Sequence, residues 1–115
     1  MWNIIYYTRE NGTIPVQELI SSLPAKFGAK ILFAIDLLEQ RGISLREPYV
    51  KQMDGKLWEL RIKFSSDISR ILYFVPQGKD IVLLHGFVKK TQKTPAREIE
   101  TARRFMADYQ RRDKE

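Results

Sequence analysis

The chain has 115 residues, with 20 Lys and Arg against 14 Asp and Glu, one His and no Cys. That length suits a single domain spanning 1–115, and a hydrophobic share of 43 % is enough to give it a core. The absent cysteines exclude a disulfide framework, a thiolate zinc site, an iron–sulfur cluster and a cysteine nucleophile, and the lone His85 excludes a two-histidine nuclease pair.

Residues 2–8 (WNIIYYT) are β-branched and aromatic and stop at Asn11-Gly12, so they predict a first strand followed by a turn. Pro15 opens a short helix over 16–23, and Pro24 opens a second over 25–40. In that second helix Ile31, Leu32, Ile35 and Leu38 fall on one face, and Gly42 stands at the expected C-cap. Residues 43–56 lack periodicity and read as a connection ending in the Asp54-Gly55 turn. Three strands follow with short turns: WELRIKF, ISRILYFV and DIVLLHGFV. The closing segment starts at Pro95 with Thr94 as its expected N-cap, and Ile99, Ala102, Met106 and Tyr109 form its apolar stripe.

The order β-α-α-β-β-β-α predicts an α+β fold: a mainly antiparallel four-stranded sheet with two N-terminal helices and one C-terminal helix, the helices covering one face. The N-terminus lacks the basic start and cleavage site of a leader, and no segment approaches the roughly 18 apolar residues of a membrane span. A cytoplasmic protein without membrane contact is expected.

Charge is uneven. Residues 1–45 balance four basic with four acidic side chains, 46–80 hold seven against five, and 81–115 hold nine against five. A basic surface of this kind suits a polyanion, because each neutralised phosphate releases counterions. No Walker loop, dinucleotide fingerprint or serine-hydrolase elbow occurs, and the carboxylates form no two-metal cluster, so no cofactor and no metal are expected. Arg61 and Arg70 sit on consecutive strands, and Lys89 and Lys90 leave the last one. Arg61 alternates away from Trp58, Leu60 and Ile62, whereas Arg70 shares its face with Leu72 and Phe74. An arginine on an apolar face is either paired with a carboxylate, for which Glu59 is the candidate, or reserved for an anion, since it does not shed its charge.

The ordered set DGKLWELRIKF, SRILYFV and VLLHGFVKKTQKTPAREIETARR resembles the RelE/ParE superfamily of small bacterial toxins, in the HigB-like branch that includes phage-derived proteins. The resemblance covers nearly the whole chain. It implies the toxin of a type II toxin–antitoxin system: a monomeric, ribosome-dependent mRNA endoribonuclease, held by a co-encoded antitoxin that is often a helix-turn-helix protein. Members of the ParE branch instead poison DNA gyrase, and a non-catalytic phage-derived RNA- or protein-binding domain is a further alternative. On the nuclease reading Arg61, Arg70, Lys89 and Lys90 are the expected catalytic residues, with Lys51, Lys56, Lys63, Lys93 and Arg97 as RNA contacts. The two arginines would stabilise phosphate charge and one of the paired lysines would take the 2′-OH proton. The general acid stays open between Tyr73 and His85, because no tyrosine follows Lys90 until Tyr109.

Overall fold

In a computed structural model, which describes residues 1–89 and 93–113, the chain runs β1 (Asn3–Tyr6), α1 (Pro15–Ser22), α2 (Ala25–Arg41), a 3-10 turn (Gly42–Ser44), β2 (Val50–Gln52), β3 (Trp58–Phe64), β4 (Asp67–Phe74), β5 (Asp80–Lys89) and α3 (Ala96–Asp113). The α+β class and the helices follow the expectation closely. Two points of the sheet do not. It has five strands in the order β1-β5-β4-β3-β2, because Val50–Gln52, inside the stretch read as a connection, pairs antiparallel with Trp58–Leu60. It is also mixed, since β1 runs parallel to β5, with Asn3 opposite Asp80 and Tyr6 opposite Leu83.

The third correction concerns the faces. Ile71, Tyr73, Ile81 and Leu83 join Leu60 and Ile62 under α1 and α2, where Val16, Phe27, Ile31, Ile35 and Leu38 pack. Leu72, Phe74, Val82 and Leu84 turn the other way, against Ala102, Ile99, Phe105 and Met106 of α3. The central strands β4 and β5 are apolar on both sides, so each face needs a helical cover, at roughly 1.5–3 kcal/mol for each large side chain removed from water. The C-terminal helix therefore lies across the sheet from the N-terminal pair.

Local signals place the connections. Gly12, Gly55 and Gly78 have positive φ in the turns marked by Asn-Gly, Asp-Gly and Gln-Gly. Gly42 does more than end α2. Its φ is 52°, and a Cβ there would run into the Trp2 indole, which lies over this glycine while the Trp2 amide donates to the Glu39 carbonyl at 3.0 Å. The N-terminal strand is thereby fastened to the end of α2.

At the opposite end, the last turns of α3 are tied to the segment after β1. The Tyr7 hydroxyl donates to Asp108 at 2.6 Å, and Arg112 donates to the same carboxylate at 2.7 Å. The Tyr7 bond, with help from Arg111 and Arg112, holds the Asp108 carboxyl below the ordinary aspartate range. A carboxyl depressed on folding stabilises the protein above its unfolded pKa of about 3.9 and loses that contribution as pH falls through its folded value. Asp108→Asn is accordingly expected to lower the urea midpoint by more at pH 7 than at about pH 2.5. An equal deficit at both pH values would show that the carboxylate charge is not what the helix end uses.

Candidate nucleic-acid interface

Register alone gathers the strand-borne cations. In β3 and β4 Arg61 stands directly opposite Arg70, and Arg70 is opposite Phe87 of β5. On one side of that row Lys51, Glu59, Leu72 and His85 line up across β2 to β5; on the other Lys63, Ile68 and Lys89 do so. Opposed residues share a face and lie about 5 Å apart, with the next such residue along a strand about 7 Å away. Lys51, Arg61, Lys63, Arg70 and Lys89 therefore occupy one patch on the α3 side of the sheet, with Glu59 as the carboxylate among them.

Glu59 organises this patch. Its Oε1 lies 3.3 Å from Arg61 Nε and 3.8 Å from Arg70 Nε, and its Oε2 accepts from the Thr94 hydroxyl. Glu59 and Arg70 are fully enclosed, whereas the Arg61 side chain keeps 21 % of its surface open. Burial pushes the Arg70 guanidinium down from its ordinary pKa, Glu59 pulls it back up and Arg61 pushes it down again. At neutral pH it stays charged, because an arginine pKa starts so high. The two arginines thus share a face, and of the two readings left open for Arg70 the structure shows the carboxylate partner, Glu59. Arg61 reaches the surface; Arg70 is an enclosed charge beside it on the next strand.

The remaining expected residues divide. Lys89 is half-buried at the end of β5, and Lys51, Lys63 and Lys93 are exposed. Arg97 is 77 % exposed in the first turn of α3, beside Glu98. Lys56 does not belong to the patch. It sits in the turn before β3, lining a hollow with Pro76 and Tyr109 at the far end of α3. Lys90 lies outside the described residues.

Both candidate acids are otherwise engaged. Tyr73 points into the core under α2, on the face away from the arginines, and burial pushes its phenol well up. It is removed as a proton donor to this patch. His85 is on the right face, in the row of Glu59, with its Nε2 2.8 Å from Glu98 and its ring edge-on to Phe105. That contact ties the first turn of α3 to β5. Thr94 also departs from expectation: its hydroxyl goes to Glu59 instead of capping α3, whose first turn is closed by the Pro95 carbonyl accepting from Glu98 at 3.1 Å. Sequence reading found Glu59 as a partner for Arg70 but missed Thr94, since its position before a helix carries a strong capping signal and nothing local points 35 residues back. Among the described residues no three His, Cys, Asp or Glu side chains stand grouped as a metal site.

A family model described as "Phage derived protein Gp49-like (DUF891)" matches residues 18–107, from α1 through most of α3. The chain belongs to this Gp49-like family. It is a family of RelE/toxin-like proteins, in keeping with the sheet and helices described above. No curated protein matches the chain.

In this Gp49-like protein the Glu59–Arg70 pair sets a stability test. Removing one partner of a buried pair strands the other charge, at about 3–5 kcal/mol, whereas replacing both by apolar groups of similar volume is often neutral. Glu59→Leu is expected to cost about that much in urea unfolding, and adding Arg70→Met to restore most of it. A double variant as unstable as the sum of the two single changes would sink the pairing.

Proposed function

We propose that this protein is the toxin of a type II toxin–antitoxin pair and that it cleaves mRNA on the ribosome through the cationic face of its sheet. The single observation that carries the reading is the row Arg61–Arg70 flanked by Lys63 and Lys89, with one arginine side chain partly open to solvent beside one that is enclosed. Membership of the Gp49-like family supports the toxin role.

In the reaction the ribose 2′-oxygen bonds to the adjacent phosphorus and the P–O5′ bond breaks, leaving a 2′,3′-cyclic phosphate and a 5′-OH. Negative charge builds on the non-bridging oxygens, and fixed donors aimed there lower the barrier. Arg61 is the group for that task, with a fork that matches two phosphate oxygens. Arg70 reinforces it from the neighbouring strand as an enclosed charge, and Glu59 holds the Arg61 side chain by its contact with Nε. Lys89, at the β5 end of this face, is the group that in its amine form takes the 2′-OH proton, and water returns a proton to O5′ as the P–O5′ bond breaks; the arginines stay charged at neutral pH and do neither. Lys51 and Lys63 flank the arginine row on either side, and with Lys93 and Arg97 they suit the neighbouring phosphates. The ribosome would hold the message in register, supplying the positioning part of catalysis. An antitoxin covering this face would silence it.

The test is mapping of mRNA 5′ ends in a translation extract. Arg61→Ala is expected to lower cleavage by about 10²–10³-fold, the usual loss of one charge-stabilising donor, in a protein that remains folded by circular dichroism. Lys56→Ala, at the far end of the molecule, is expected to cut like the parent. Undiminished cleavage by Arg61→Ala refutes the site assignment; intact mRNA with broken DNA indicates a gyrase poison, and intact mRNA and DNA a non-catalytic binding domain.

A further inference from the structure

β2 covers only part of its neighbour. Its register with β3 spans Val50–Leu60 to Gln52–Trp58, and the last bond in line runs from the Arg61 amide to the Tyr49 carbonyl at 2.8 Å. Past that point Ile62, Lys63 and Phe64 form the edge of the sheet. In an antiparallel ladder the N–H and C=O of one residue point to the same side and the direction repeats every second residue. Lys63 therefore faces outward as Arg61 does, and its carbonyl accepts from Lys30 Nζ at 3.3 Å.

A cavity of about 450 Å³ runs along this stretch. Its walls include Ile62 from the α2 side of the sheet and Lys63 and Ile68 from the α3 side, which can line one cavity only by meeting around the edge of β3. Phe33 of α2 and Tyr49 ahead of β2 stand over it at 70 % and 53 % exposure. Among the described residues Lys30, Arg61 and Lys63 are its charged members, and no carboxylate lines it.

We propose that this groove takes an extended segment of a partner protein, alternating apolar with acidic residues, which lies beside Ile62–Phe64 in line with β2 and adds a strand to the sheet. The backbone of Lys63 offers the ladder bonds, and the hollow between Phe33, Tyr49 and Ile68 takes the apolar side chains. The three cations select the acidic ones. A second copy of this chain fits poorly, because the same cationic edge would face itself. RNA fits less well than protein, since the walls are apolar and the edge presents paired backbone donors and acceptors. With three residues of open edge, the ladder contributes few bonds and much of the affinity comes from the side chains. The inference rests on the toxin reading only for the existence of a neutralising partner.

The experiment is an amide ¹⁵N–¹H titration of the full chain with a capped hexapeptide of alternating valine and glutamate, and with the same peptide carrying lysine for glutamate. The acidic peptide is expected to shift the amides of Lys63, Lys30 and Phe33 and to slow hydrogen exchange at Lys63, while the basic one does not. Lys30→Glu and Phe33→Ser, both on the exposed surface of α2, are expected to keep the dispersed spectrum of the parent and to weaken binding about tenfold each. Absence of shifts at these amides, equal shifts with the basic peptide, or larger shifts at Lys30 and Phe33 with a hexanucleotide RNA would overturn the proposal. No step involves RNA cleavage, so a protein that binds the peptide yet cuts nothing, and one that cuts yet ignores the peptide, are told apart.

Discussion

The Glu59 carboxylate brings one negative charge to the place where two guanidinium groups and a threonine hydroxyl converge, and the cationic side of the sheet takes its shape from that contact. Two arginines directly opposite each other on adjacent strands would repel in a poorly solvated setting. A carboxylate two residues along the same strand, on the same face, offsets the repulsion without leaving the ladder. It also fixes where the chain enters α3, because its second oxygen is held by Thr94. Desolvating such a group is unfavourable unless its lone pairs are used, and here both oxygens have partners.

That arrangement follows from the way the sheet is covered. β4 and β5 sit in the middle and are apolar on both sides, so α1 and α2 close one face and α3 the other. The contact between His85 and Glu98 sets where α3 begins on its face, in the row of Glu59. The rows beyond, with Arg61, Lys63 and Lys89, lie past the start of the helix. The C-terminal helix thus completes the second core and stops short of the charged end of the strands.

The edge of the sheet reflects the same economy of cover. β2 shields the first half of β3 and leaves the second half bordered by α2 side chains and three cations. Exposed edges are ordinarily protected by lysine, and Lys30 and Lys63 meet that description. The same lysines give the edge a preference in sign, so protection against self-pairing and selection of an acidic neighbour come from one set of charges. Arg61 belongs both to this groove and to the cationic face, which places a segment docked at the edge next to its partly exposed side chain.

Much of this was legible in the residues. Alternation in WELRIKF, the Asn-Gly, Asp-Gly and Gln-Gly turns and the apolar spacing in 25–40 and 96–113 are local signals, and they determined the helices, the three-stranded meander and the side of β3 on which Arg61 stands. The ambiguity of Arg70, a cation on an apolar face, was legible too, and so was Glu59 as its counter-charge. Three things were decided only by the tertiary structure. Val50–Gln52 is too short to show periodicity and becomes a strand only because β3 is beside it. The parallel pairing of β1 with β5 and the placement of α3 on the opposite face depend on which apolar surfaces remain to be covered, a sum over the whole chain. Exposure of Arg61 against enclosure of Arg70, and the use of Thr94 as a partner for Glu59, depend on contacts between residues far apart in sequence, for which charge, spacing and propensity carry no local record.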